Sequence, residues 1–423
     1  MFNIPQRSSI LPLEIFAQII DNVGENEDTN LLKELSLVSH SFHQICSKHL
    51  FATVDLYDEY NPMWRPASSK KGFIKLLKSR PDVVKHIRKL TYNVGYTHEG
   101  QQSDDFLLSP ILPDLLRTIS RLNCLRITAS KMNWNTLDSS LTSALLYLMH
   151  LPSVSHIDLS FIQNFPLCSL LPSVNLLRLD IFYLCRHNQL EEDGPSEIVV
   201  QSEIMPKIRE FRTSDSTLLT RKLLHAKRQD GRPASNFMDL RQVSMDFRWS
   251  EDEQNIRYLL QNAKLLEKLS LRVDCRRSLV GLRDILFPSA RTLKVLELTV
   301  SLYDESGSLP LAGLCEELEA MAGHNMLEAL SIEVNVEGHE SENSIGTIIQ
   351  DVGKVLVKPG WSALRQVSFE VSIACCLVST EDSAALSEAL QSLPDKYLSH
   401  LSKLESIALN FSASVVKCAY SLP

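Results

Sequence analysis

The sequence predicts an α/β protein: a short cluster of three N-terminal helices followed by a long array of strand–helix units. Three observations carry this expectation. Residues 8–51 hold three helix-length apolar stripes separated by turn residues. From Ile87 to Leu404 one motif (apolar, two residues, apolar, one residue, apolar) recurs eleven times. The chain has 423 residues, 44% of them hydrophobic and 22% charged, too long for one ordinary core and too apolar for disorder.

The helices come first. Pro12 suits a first helical turn, where a missing N–H costs nothing, and Ser9 is a candidate cap just before it. Ile15, Ile19 and Ile20 repeat at helical spacing, and Gly24 is expected to end that helix. Asp28 or Thr29 caps a second helix carrying Leu31, Leu32 and Leu35. A third begins near Ser39 and presents Phe42, Ile45 and Leu50. Three helices of this length bury little apolar area alone and gain by docking a stripe on a partner, or by capping the domain that follows.

In order and spacing, Leu11-Pro12-x-Glu14-Ile15, Ile19-Ile20, Leu31-Leu32, Leu35-Ser36-Leu37-Val38-Ser39, Phe42 and Leu50-Phe51 resemble the F-box. Phe42 stands where that family often has tryptophan, and Phe51 where it often has Leu-Trp. The resemblance implies a surface for a Skp1-like protein made of Leu11, Pro12, Ile15, Ile19, Leu35 and Val38. On that reading Leu37 and Ile45 are candidates for holding the helices together.

The repeated motif starts at Ile87, Leu122, Val154, Val174, Ile208, Leu240, Leu266, Leu293, Leu327, Leu364 and Leu404, roughly 32 residues apart on average. Most copies add another apolar residue two positions on, among them Val94, Phe161, Val273, Val334 and Phe411. Such alternation describes a strand buried on one face. The copy at Ile208 breaks it with Thr213 and is expected to be weak. Between the strands, 251–265, 311–325, 344–356 and 383–393 carry helical apolar stripes. A strand and a helix every thirty or so residues cannot bury a face alone, whereas stacked neighbours can.

This pattern is similar to the loose leucine-rich repeats found behind F-boxes, particularly in fungal proteins. The resemblance implies a three-helix F-box (8–52), a connecting strand, linker and helix (53–86), and an irregular leucine-rich-repeat, ribonuclease-inhibitor-like solenoid of about eleven units (87–423). The position that usually holds asparagine does so once, at Asn335, so the ladder that satisfies the inner turn is incomplete. An unrelated α/β sheet is the competing reading, disfavoured because eleven strands overfill an ordinary doubly wound sheet. Residues 61–72 read as a linker, and 186–197 and 227–236 as loop excursions.

No nucleophile elbow, zinc-protease helix, phosphate loop or dinucleotide fingerprint occurs, and His98-Glu99 and His339-Glu340 have no second histidine at ligand spacing. Neither an enzyme nor a cofactor or metal is expected. Nine cysteines without a C-x-x-C read as buried free thiols. The net charge of −8 argues against nucleic acid, and the basic run 221–228 reads as a solvated helix. No signal peptide or membrane-spanning run is apparent, which points to the cytoplasm or nucleus and away from a membrane.

Strand positions between the apolar residues supply Lys89, Arg126, Arg178 and Arg212 early, with Asp158 and Asp180 interleaved; later they supply Asp246, Glu297, Glu333 and Glu370, with Arg272 among them. Arg126, Arg178 and Arg212 are therefore candidates for gripping an acidic or phosphorylated target segment, against the alternative of charges kept for solubility. Taken with the resemblance, the expectation is a substrate receptor of a Skp1–cullin–F-box type ubiquitin ligase. The alternatives are a scaffold, or a leucine-rich-repeat interaction protein, with no role in ubiquitin transfer.

Overall fold

The structure, a computed structural model, describes residues 12–26, 28–57, 69–94, 110–184, 199–200, 206–274, 279–303, 313–337, 342–375 and 380–417. Ser9, Leu11, most of the 61–72 linker, the 186–197 excursion, His98-Glu99, His339-Glu340 and Cys376 lie outside the described residues. The chain divides into two compact units, Met1–Leu176 with Leu184–Gln189, and Leu177–Tyr183 with Leu190–Pro423.

The first unit opens with α1 (Leu13–Glu25), α2 (Thr29–Ser36) and α3 (His40–Leu50). Asp28 caps α2 by accepting from the Leu31 N–H at 3.0 Å, and Ser39 caps α3 by accepting from that of Phe42 at 3.2 Å. Gly24 does not end α1: it lies in the last turn, and Asn26 is the C-cap. Then come β1 (Thr53–Leu56), β2 (Lys89–Val94), β3 (Cys124–Asn133) and β4 (His156–Gln163), paired in that order and all parallel. Helices Lys70–Ser79, Leu112–Arg117 and Ser139–Met149 lie between successive strands, as parallel neighbours require.

The second unit contains β5 (Arg178–Phe182), β6 (Val199–Val200), β7 (Glu210–Ser214), β8 (Lys227–Arg228), β9 (Gln242–Phe247) and β10 (Lys268–Asp274). It continues with β11 (Val295–Tyr303), β12 (Ala329–Glu337), β13 (Gln366–Cys375) and β14 (Ala408–Lys417). Eight of these form a parallel sheet in the order β5-β7-β9-β10-β11-β12-β13-β14, while β6 pairs separately with β8. Burial alternates as one-face packing demands. In β10, Leu269, Leu271 and Val273 are buried while Lys268, Ser270 and Arg272 face outward. The helix Ser250–Asn262 buries Ile256, Leu259 and Leu260, and packs on β9 and on the helices Thr217–Leu224 and Leu282–Leu286.

All eleven motif copies contain a strand, and the α/β class fits. The finer expectation, an F-box followed by an irregular leucine-rich-repeat solenoid, is corrected: the described residues form open, all-parallel sheets, four strands in the first unit and eight in the second. The physical reason lies in the strand ends. A leucine-rich repeat bends inward at its asparagine position, but β12 runs on in strict alternation through that point, with Val334 and Val336 buried. Asn335 therefore stays on the open face and donates from Nδ2 to Glu333 Oε1 at 2.9 Å, instead of satisfying an inner turn. The motif specifies a parallel strand and its covering helix; it does not specify a bend.

Three local expectations also change. Thr213 does not weaken its strand, because its hydroxyl is buried against that of Thr220 on the next helix at 3.0 Å. Phe161 leaves the core: its φ of 60° turns it outward, and Ile162 takes the buried place. The basic run 221–228 is helical only to Leu224, and Lys227 and Arg228 form β8 within a segment read as a loop.

Candidate functional site

The N-terminal helices close on their own small core. Ile20, Leu32 and Cys46 are buried together, with Val23, Leu35, Phe42, Ile45 and Leu50 packed against them. Phe16 meets Phe42 with ring centroids 5.2 Å apart. The Asp21 carboxyl ties α1 to α3, lying 2.5 Å from Lys48 Nζ and 2.7 Å from His49 Nε2. Partial burial works against its ionised form, but these two partners hold its pKa below the usual carboxylate value.

With that core closed, several large apolar side chains remain outside it. On α1, Ile15 and Ile19 stand one turn apart, 39% and 50% exposed, with Pro12 exposed at the helix N-terminus. At the turn between α2 and α3, Leu37 is 86% and Val38 66% exposed. Of the residues anticipated for a partner surface, Pro12, Ile15, Ile19 and Val38 are thus on the outside. Leu35 instead packs against the internal core, and Leu11 is outside the described residues. Ile45 does hold the helices together, whereas Leu37 does not. The sequence contained that signal: Leu32 and Leu35 are three apart and share a helix face, and Leu37 falls off it. Leu13 and Leu31, 49% and 38% exposed, are further apolar side chains left outside the core.

The open sheet faces carry the charges. In the first unit, Arg126 Nε donates to Asp158 Oδ2 at 2.6 Å, and Ser160 also donates to that buried carboxylate. In the second, Arg178 bonds Asp180 at 2.8 Å and approaches Glu210 at 3.4 Å. Arg178 and Arg212 lie on the paired strands β5 and β7, with Asp180 in register with Arg212. Arg126 belongs to the other unit. The early basic excess is therefore largely offset by adjacent carboxylates. Arg212 has no ion pair among the described residues, and it lines a shallow depression with Gln242, Ser244, Lys268, Ser270 and Glu297. Lys268 and Ser270 are both bound to Glu297, at 2.6 and 2.5 Å.

The sequence places Asp246 among the outward strand charges of this face, but it is 6% exposed. Burial pushes its carboxyl pKa up from 3.8, against the lowering effect of the Asp215 N–H at 2.8 Å, the nearby Arg248 guanidinium and the Ser214 hydroxyl. The folded state therefore binds this proton more tightly than the unfolded state does. The associated stability is present at acid pH and is lost as pH rises through the elevated folded pKa. We expect wild type to lose melting temperature relative to Asp246→Asn, which cannot titrate, as pH rises from about 3.5 to neutral. A difference that stays flat over that range would contradict this account.

Among the cysteines whose side chains are described, four are free thiols: Cys46 is buried, Cys124 and Cys315 intermediate, and Cys168 exposed, so the expectation of burial does not extend to Cys168. Burial, reinforced by Asp351 and Glu316, pushes the Cys315 thiol up to about 11. Among the described residues no group of His, Cys, Asp and Glu is arranged to hold a metal ion, and no helix is long and apolar enough to cross a membrane. No protein-family model matches the chain, and no curated protein matches it.

Proposed function

We propose that the chain is a substrate-receptor subunit of a Skp1–cullin–F-box type ubiquitin ligase, acting in the cytoplasm or nucleus and performing no bond chemistry itself. The N-terminal helices dock on a Skp1-like protein, and an open sheet face binds a protein target. The mechanism is proximity: a target held on the sheet is kept at high effective concentration near a ubiquitin-carrying enzyme. One observation carries the reading. Ile15 and Ile19 on α1, and Leu37 and Val38 at the turn after α2, are exposed on a helical cluster whose own core is already filled, so they are available to a partner. The resemblance of residues 11–51 to the F-box names the kind of partner. Arg212, rather than the paired Arg126 and Arg178, is the arginine best placed to meet an acidic group on a target.

The test is co-expression with a Skp1-like protein, comparing wild type with Ile15→Asp/Val38→Asp. Both side chains are exposed, so the variant keeps the helical core. Truncating central apolar contacts of an interface costs about 2 kcal/mol or more each, enough to abolish co-purification. Leu35→Asp is unsuitable, because Leu35 supports the internal core. A folded wild type that never captures the Skp1-like protein would sink the ubiquitin-ligase reading and leave a non-catalytic interaction protein.

A further inference from the structure

We propose that a second copy of this chain extends the sheet of the second unit, with β14 pairing antiparallel to its counterpart across a two-fold axis. Among the described residues β14 is the last strand of the order and bonds only to β13. The Ala408 N–H donates to the Arg365 carbonyl at 2.8 Å, which fixes the phase of the strand. Ala408, Asn410, Ser412 and Ser414 thus turn their peptide groups towards β13, and Leu409, Phe411, Ala413 and Val415 turn theirs to the open edge.

Three further features mark this edge. Its core-side residues Leu409, Phe411, Ala413 and Val415 are only half-buried, whereas Val367, Phe369, Val371 and Ile373, their neighbours on β13, are at most 2% exposed. Within β14 itself two usual guards of an edge strand are missing: it contains no proline, and its single charge is the terminal Lys417. Six of the other seven strands put at least one charged residue that is not buried on the open face, Glu297, Glu333 and Glu370 on the three nearest, the exception being β9, whose Asp246 is buried. The corresponding positions on β14 are Ala408, Asn410, Ser412 and Ser414.

That neutrality selects the occupant. A basic peptide finds no acid on β14 and an acidic one finds only the terminal Lys417, while a second copy brings no like charges face to face, since Lys417 falls opposite the Ile407 position. A two-fold axis at Ser412 places Leu409 opposite the partner's Val415, and Phe411 opposite the partner's Ala413. All four outward-turned residues then fall in reciprocal hydrogen-bonded pairs, with the largest side chain, Phe411, facing the smallest, Ala413. Ser412 faces its own copy in a non-hydrogen-bonded pair, the closer of the two pair types. The interface is isologous and closes as a dimer.

The test measures the mass of the full chain by sedimentation and light scattering over a concentration series. Wild type is expected to approach two chains per particle. Ser412→Glu and Ser412→Lys each set like charges face to face on an exposed position, and each should weaken the dimer about tenfold or more. Mixing the two variants should restore it. Ala413→Pro, which removes only an outward N–H, should also give single chains with an unchanged circular dichroism spectrum. A wild type that stays monomeric, single-charge variants that stay dimeric, or a mixture that fails to re-associate would each overturn the proposal.

Discussion

Gly24→Ala is expected to destabilise the N-terminal helices by about 1–3 kcal/mol, the usual cost of forcing extra volume into a packed site, and Gly24→Val to unfold them. Ordinary helix propensity predicts the opposite sign, because alanine is favoured over glycine inside a helix by about 0.5–1 kcal/mol. Contact decides between the two. A Cβ at Gly24 would lie 2.3 Å from His49 Nδ1 and 2.4 Å from its Cγ, distances real Cβ atoms do not tolerate. The ring cannot move aside cheaply, since its Nε2 is held by Asp21 at 2.7 Å. A unit this small has little stability to spare. Amide exchange across α1–α3 reads the effect directly, and His49→Ala supplies the control. With the ring removed, Gly24→Ala should become neutral or stabilising, and a cycle with no coupling between the two sites would refute the contact argument. Loss of Skp1-like partner capture by Gly24→Val would then report unfolding and not a lost surface.

Much of this architecture was legible because parallel strands and their helices have strong local signatures. Leu269, Leu271 and Val273 alternate in sequence and alternate in burial, and Asp28 and Ser39 cap helices as their side chains allow. The failures share a different cause, dependence on side-chain contacts that exist only once the chain has folded. Thr213 looked like a defect until Thr220 met its hydroxyl. Asp246 occupies an outward strand position in the sequence, yet Ser214 and Asp215 from the neighbouring strand end and Arg248 just beyond its own strand gather around its carboxylate. Gly24 looked like a helix terminator because glycine commonly ends helices, and only the packing of His49 reveals its use. The bend of a solenoid rests on the family resemblance, and what opposes it is the continued alternation at Val334 and Val336. On the candidate surface, resemblance assigned Leu35 and Val38 to one face, and their i,i+3 spacing would keep them together in a continuous helix, but α2 ends at Ser36. Burial has now split them.

The second large effect is expected at Asp252. The sequence suggests that the acidic residues opening the helix Ser250–Asn262 act on its positive end, an interaction worth about 0.3–1 kcal/mol at an exposed site. The structure gives Asp252 a more demanding task. It is 3% exposed, and its Oδ2 accepts from the backbone N–H groups of Arg248 at 3.0 Å and Trp249 at 2.9 Å. Its Oδ1 accepts from the Thr217 hydroxyl at 2.6 Å, and the adjacent Asn255 donates to the Thr217 carbonyl at 3.1 Å. One carboxylate therefore caps its own helix and fastens it to the start of the preceding one. Asp252→Ala strands three donors, and leaving a buried donor unsatisfied costs about 1–3 kcal/mol, so a loss of about 3–5 kcal/mol is expected, allowing for partial rehydration. Asp252→Asn retains one acceptor oxygen and should lose roughly half as much, whereas Glu251→Ala, at an exposed position without these bonds, should lose under about 1 kcal/mol. Denaturant titration of the three variants ranks them. Equal losses at positions 251 and 252 would reduce Asp252 to a dipole contact, and the predicted order would establish it as the clamp between successive helices of the second unit.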